Sequence, residues 1–125
     1  MAKILVVDDE PLLRAVLRDA LEPAGHTVLT AEDGRSALLA AKAEHPDCIL
    51  LDVMMPGIDG YETCELLKAD PDLAAIPVLL VSATTDLRVV DNAERVGAAG
   101  VLPKPFPAEQ LQHAVAMAIA SPPSA

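Results

Sequence analysis

Short apolar runs of strand length recur along this chain, and each is followed by a longer segment whose apolar residues fall at helical spacing. Lys3 to Val7 is a run of Ile, Leu and Val cut off by Asp8-Asp9, which predicts a strand buried on both faces. From Pro11 to Ala24, apolar residues stand at Leu13, Val16, Leu17, Ala20, Leu21 and Ala24, along one helix face. Pro11 suits the first turn and Gly25 the stop. The cycle then repeats. His26 to Thr30 reads as a second strand, and Asp33 caps a helix reaching about Glu44. Cys48 to Leu51 is a third strand, ending at Asp52. Asp59 with Glu62 forms a capping pair for a helix that stops near Asp70-Pro71. Ile76 to Val81 is the fourth strand, Asp86 to Val96 a helix closed by Gly97, Val101-Leu102 the fifth strand, and Ala108 to Ala120 the last helix. Five strands alternating with five helices imply an α/β fold, a doubly wound parallel sheet covered on both faces.

In such sheets the functional crevice lies beyond the carboxyl ends of the strands. Those ends carry Asp8-Asp9, Asp52, Ser82 and Lys104. Carboxylates that converge repel one another and call for a cation, and an oxygen-only donor set favours a hard ion such as Mg²⁺. An Asp-Asp pair alone is an ordinary acidic loop. The argument gains weight because another Asp, a hydroxyl and a lysine arrive from three further strand ends. Lys104 stands in the stiff apolar stretch Leu102-Pro103-Lys104-Pro105-Phe106, where it can serve as counter-ion to the acids, as a clamp for an incoming anion, or as both.

Composition removes several alternatives. Nineteen acidic side chains against nine basic ones leave a net charge of −10, which argues against direct nucleic-acid binding and against anionic membrane surfaces. The 125 residues suit one domain, expected over residues 1–120, with 121–125 as a frayed tail or truncated linker. Tyr61 and Phe106 are the only aromatics, so the core is aliphatic. Cys48 and Cys64 sit in apolar surroundings without CxxC spacing and read as buried thiols of a cytoplasmic protein. No GxGxxG, GxxxxGK[ST] or GxSxG occurs, and His26, His45 and His113 stand apart from any nucleophile.

Four motifs in order, Ile4-Leu-Val-Val-Asp8-Asp9-Glu10, Leu51-Asp52-Val-Met-Met-Pro56-Gly57-Ile-Asp59-Gly60, Val81-Ser82-Ala83 and Lys104-Pro105-Phe106, resemble the receiver domains of two-component response regulators. The resemblance spans nearly the whole chain. It implies the flavodoxin-like strand order 2-1-3-4-5. It implies that Asp52 is a phosphoacceptor served by a histidine kinase or histidine phosphotransfer protein. Asp9, Asp52 and the Met54 backbone carbonyl would bind Mg²⁺ (or Mn²⁺), with Asp8 acting through water. Lys104 would hold one phosphoryl oxygen, Ser82 another, and a cis peptide at Lys104-Pro105 would aim the lysine inward. Such a module is a switch, modifying only its own Asp52, that acts on an effector domain, an output protein or a second copy of itself. Two departures stand out: Val101 occupies the usual place of a switching aromatic, and Pro107 replaces a capping side chain before the last helix. The alternative is a pseudo-receiver, a protein-interaction scaffold without phosphotransfer. An aspartyl-phosphate phosphatase fits less well, since Met54 stands where its acid-base Asp belongs.

Overall fold

Strands and helices alternate without exception: β1 (Lys3–Val7), α1 (Pro11–Leu21), β2 (Thr27–Ala31), α2 (Gly34–Glu44), β3 (Cys48–Asp52), α3 (Gly60–Ala69), β4 (Val78–Ser82), α4 (Leu87–Val96), β5 (Gly100–Pro103) and α5 (Ala108–Ala120). The computed structural model describes residues 2–55, 57–83, 87–104 and 106–120. Every strand pairing is parallel, and the order is β2-β1-β3-β4-β5. This is the flavodoxin-like arrangement.

Strand geometry sends successive side chains to opposite faces, so each apolar run feeds two cores. Leu5, Val7, Ile49, Leu51, Val78 and Leu80 point to one face, where Ala37 and Ala41 of α2, Cys64 and Leu67 of α3, and Ala93 and Val96 of α4 cover them. Tyr61 packs half-buried against this layer. Ile4, Val6, Cys48, Leu50, Val81 and Leu102 point the other way, against Leu17 and Leu21 of α1 and Leu111, Val115 and Ala118 of α5. A buried leucine in such a layer typically loses about 2–5 kcal/mol when cut to alanine, so these two layers hold the strand ends in place. Among the described residues, no helix is long and apolar enough to cross a membrane.

Several boundaries differ from the sequence reading, each for a backbone reason. The first helix ends at Leu21 and tightens into a 3-10 turn over Glu22–Ala24, because Pro23 has no N–H to continue the α-helical ladder. Gly25, at φ 94°, then reverses the chain. β2 runs one residue later than expected. The Thr27 amide donates to the Ala2 carbonyl at its start, and the Ala31 carbonyl accepts from the Asp8 amide at its end (3.1 Å). β4 begins at Val78, since Pro77 cannot donate to a ladder and the Ile76 carbonyl is taken by the Lys68 ammonium at 2.7 Å. β5 is four residues long because main-chain pairing from Leu79↔Gly100 to Ser82↔Pro103 needs no particular side chain. The expected start of α4 at Asp86 and residues 121–125 lie outside the described residues.

The caps follow the sequence closely. The Asp33 carboxylate accepts from the Ser36 amide (2.8 Å) and hydroxyl, which holds its pKa below the usual value. Asp59 accepts from the Glu62 amide at 2.9 Å. At α5 the carbonyl of Pro107 takes the Gln110 and Leu111 amides, and no side-chain oxygen is available at that position.

Candidate functional site

The parallel sheet delivers its polar residues to one end. Asp8 follows β1, Asp52 closes β3, Ser82 closes β4, and Lys104 follows β5. Register aligns them: Asp52 lies opposite Val81, and Ser82 opposite Pro103. A further main-chain bond from the Lys104 amide to the Ser82 carbonyl (2.7 Å) ties the last two ends together.

Asp8 and Asp52 are buried, at 2% and 6% exposure, while Asp9 is open to solvent. Carboxylate oxygens of all three lie within 4.8 Å of one another, so the triad can hold a metal ion. Its donors are all oxygen, which fits a hard divalent cation. Lys104 Nζ sits 3.6 Å from Asp8 Oδ2 and 3.4 Å from Asp52 Oδ1, with a quarter of the lysine side chain exposed. One ammonium therefore serves two buried carboxylates. The Met54 amide donates to Asp52 Oδ1 at 3.4 Å, and its side chain projects into solvent. Burial, then the charge of Asp8, pushes the Asp52 carboxyl up to about 6, against the opposing pull of Lys104 and the Met54 amide. Ser82, the last residue of β4, is buried as well. The Lys104–Pro105 peptide lies outside the described residues.

All of the expected strand-end residues thus reach one end of the sheet, and Asp8, Asp9, Asp52 and Lys104 form one cluster. The histidines do not join it. His45 closes α2 in the left-handed region at φ 46°, His26 precedes β2, and His113 lies on α5. The two cysteines are free and buried, and burial pushes their thiols up to about 12 (Cys48) and about 11 (Cys64), far from the thiolate form a nucleophile needs.

Three contacts were not foreseen from the sequence. Arg14 Nη1 donates to the Asp8 carbonyl at 2.6 Å. The only hint is its place beside the inward stripe of α1. Gly60 packs on the backbone of Asp52 and Val53, so closely that a methyl group there would stand 2.8 Å from Val53 Cα. Thr63, fully buried, donates its hydroxyl to the Asp59 carbonyl (2.8 Å) and crowds Gly34 across the α2–α3 contact. Glycines at element starts and a threonine three residues into a helix are the signals available for these.

The response regulator receiver domain family matches residues 4–116. The chain is 41% identical over 110 residues to the probable transcriptional regulator ycf27 of Galdieria sulphuraria, covering 88% of this chain and 42% of that protein. It spans less than half the length of the ycf27 regulators it matches. Protein PilH of Pseudomonas aeruginosa is 41% identical over 113 residues, covering 89% of this chain and 92% of PilH. In three dimensions the chain resembles the Vibrio cholerae chemotaxis protein CheY4 with a TM-score of 0.90 at 35% identity, covering 94% of this chain and 98% of that one. Acidic triad, opposing lysine, strand order and these likenesses agree, and the chain belongs to the response regulator receiver domain family of two-component signalling.

Proposed function

We propose that Asp52 accepts a phosphoryl group from a phosphohistidine on a histidine kinase or histidine phosphotransfer protein. The P–N bond breaks as a P–O bond forms to an Asp52 carboxylate oxygen, and the departing imidazole keeps the electron pair and takes up a proton. The observation that carries this reading is a buried carboxylate 3.4 Å from a single ammonium, Lys104, that it shares with Asp8. With its carboxyl titrating at about 6, Asp52 is mainly ionised at neutral pH and serves as a nucleophile. Transfer of this kind needs positioning and charge neutralisation more than covalent help. Lys104 would turn from Asp52 to a phosphoryl oxygen, and Ser82 would donate its hydroxyl to another; the 3.4 Å Lys104–Asp52 contact supports the first role. Asp9, Asp52 and the Met54 carbonyl would hold Mg²⁺ or Mn²⁺, with Asp8 through water. When bound, the ion offsets repulsion between an anionic nucleophile and an anionic donor.

The module is a switch and turns over nothing except its own phosphoaspartate. Residues 1–120 form the receiver, and the output passes to an effector domain, a partner protein or a second copy. Incubation with acetyl phosphate and Mg²⁺ tests the chemistry. One base-labile phosphoryl group should appear as a single mass increment and vanish in Asp52→Asn, whose amide is a poor nucleophile. An increment that persists in that variant removes Asp52 as the acceptor. No increment in the unaltered chain favours the scaffold reading.

A further inference from the structure

Every polar atom of Asp8 is engaged, each by a different part of the fold. Its amide donates to the Ala31 carbonyl at the end of β2 (3.1 Å), and Oδ1 accepts from the Glu10 amide (2.9 Å). Oδ2 faces Lys104 Nζ (3.6 Å), and its carbonyl oxygen accepts from Arg14 Nη1 (2.6 Å). The last contact alone reaches Asp8 from α1. It matters because α1 begins at Pro11 with no side-chain cap from Glu10, so the Arg14 contact joins the Asp8–Glu10 bond in tying the start of the helix to the strand end. Crowding does not force the contact. Arg14 is half-buried and also borders an open groove of about 300 Å³ with Thr30, Ala31, Glu32 and Ser36, where its guanidinium could be hydrated instead.

We propose that Arg14 is a positioning residue that sets the Asp8–Asp9 peptide plane, and through it the direction in which the Asp9 carboxylate meets the cation. The peptide unit is planar, so fixing the Asp8 oxygen also fixes the Asp9 nitrogen and Cα. Partners of this indirect kind are typically worth about 10–100-fold in metal affinity. Charge alone makes the opposite demand. A guanidinium beside a carboxylate triad repels a dication, so removing it would tighten binding if Arg14 acted only through its field. The sign of the change separates the two roles.

The affinity arm rests on the Mg²⁺ reading above, and the metal-free arm does not. Mg²⁺ affinity is measured by calorimetric titration of the full chain and of Arg14→Met, which keeps much of the apolar stem and removes every donor. We expect binding weakened by about tenfold. In metal-free protein the Asp8 carbonyl ¹³C resonance should move upfield and the Glu10 amide should exchange faster, while the amides of Val78 to Val81 stay protected. Arg14→Lys, with the charge and a terminal donor on a shorter stem, should regain part of the affinity and the same part of the Glu10 protection. Binding that tightens or stays equal in Arg14→Met overturns the proposal, as does an unmoved Asp8 resonance. Affinity and protection that fail to move together in Arg14→Lys also overturn it. If the unaltered chain binds no Mg²⁺, the metal reading fails, and the resonance and exchange data still decide the role of Arg14.

Discussion

Gly60 rests directly on the carbonyl of Asp52, and its own amide donates to the Val53 carbonyl at 3.0 Å. The first residue of α3 is thereby packed on the strand end that carries the central carboxylate. A methyl group at Gly60 meets main chain on the other side, which cannot swing away. Replacing glycine by alanine inside a helix ordinarily gains up to about 1 kcal/mol. Here we expect Gly60→Ala to lose roughly 1–3 kcal/mol in urea unfolding, as overpacked sites do. Phosphorylation by acetyl phosphate should slow as well, because the Asp52 backbone must move. A variant as stable and as reactive as the parent contradicts this packing argument.

The Asp52 carboxyl titrates at about 6 in the folded chain, above its ordinary 3.8. The folded state therefore keeps this proton over a pH range in which the unfolded chain has lost it. By linkage, the contribution of Asp52 to stability falls as pH rises from about 4 to about 6 and is constant above that. Asp52→Asn removes the cost. In metal-free buffer at neutral pH it should melt higher by roughly 4–10 °C, the equivalent of about 1–2 kcal/mol. Near pH 4 the two proteins should melt together. A melting difference that does not grow across this window counts against the raised carboxyl.

Excess Mg²⁺ should raise the melting temperature of the unaltered chain, since a ligand that binds only the folded state stabilises it by mass action. Removing repulsion among Asp8, Asp9 and Asp52 is the physical source of that gain. Asp9→Asn should lose most of the rise while folding normally, because Asp9 is exposed and supports no core. Identical melting curves with and without Mg²⁺ would remove the metal site.

Phosphorylation should register mainly in residues 82–96. Ser82 is buried where β4 ends, and its carbonyl holds the Lys104 amide. A new acceptor on Asp52 therefore pulls on the ends of β4 and β5 together. Val101 pairs with Leu80 and is half-buried, and its branched Cβ restricts χ1, so it cannot sweep between positions as a ring does. Val101→Ala should alter a partner's response modestly. Ser82→Ala should weaken that response severely and leave Asp52 phosphorylatable. Amide exchange after beryllofluoride treatment checks the route, and changes centred on Val101 would redirect it.

Legibility from the sequence varied with the kind of force involved. Runs such as Ile4–Val7 and Cys48–Leu51 announce themselves because burial on both faces demands unbroken apolar residues. Asp8, Asp52 and Lys104 stand out because they end those runs, and the parallel topology alone brings them together. Arg14 was opaque, since its partner is a main-chain oxygen, which has no letter in a sequence. Lys68 hid for the same reason. Half-buried, it donates to the carbonyls of Ala74 (3.0 Å) and Ile76 (2.7 Å), and burial lowers its pKa. That grip withholds Ile76 from the sheet and moved the start of β4. In the sequence Gly60 marks only the start of a helix after Asp59, yet its amide and Cα press on a neighbouring strand across a gap that only tertiary structure creates.

The aromatic-poor core has a spectroscopic consequence. With no tryptophan and one tyrosine, the near-ultraviolet emission of this chain arises at Tyr61, adjacent in sequence to Gly60 and half-buried against the layer beneath the site. The protein thus carries a native fluorophore one residue from the backbone that supports Asp52. Its intensity and lifetime should follow cation binding and acylphosphate formation with no label attached.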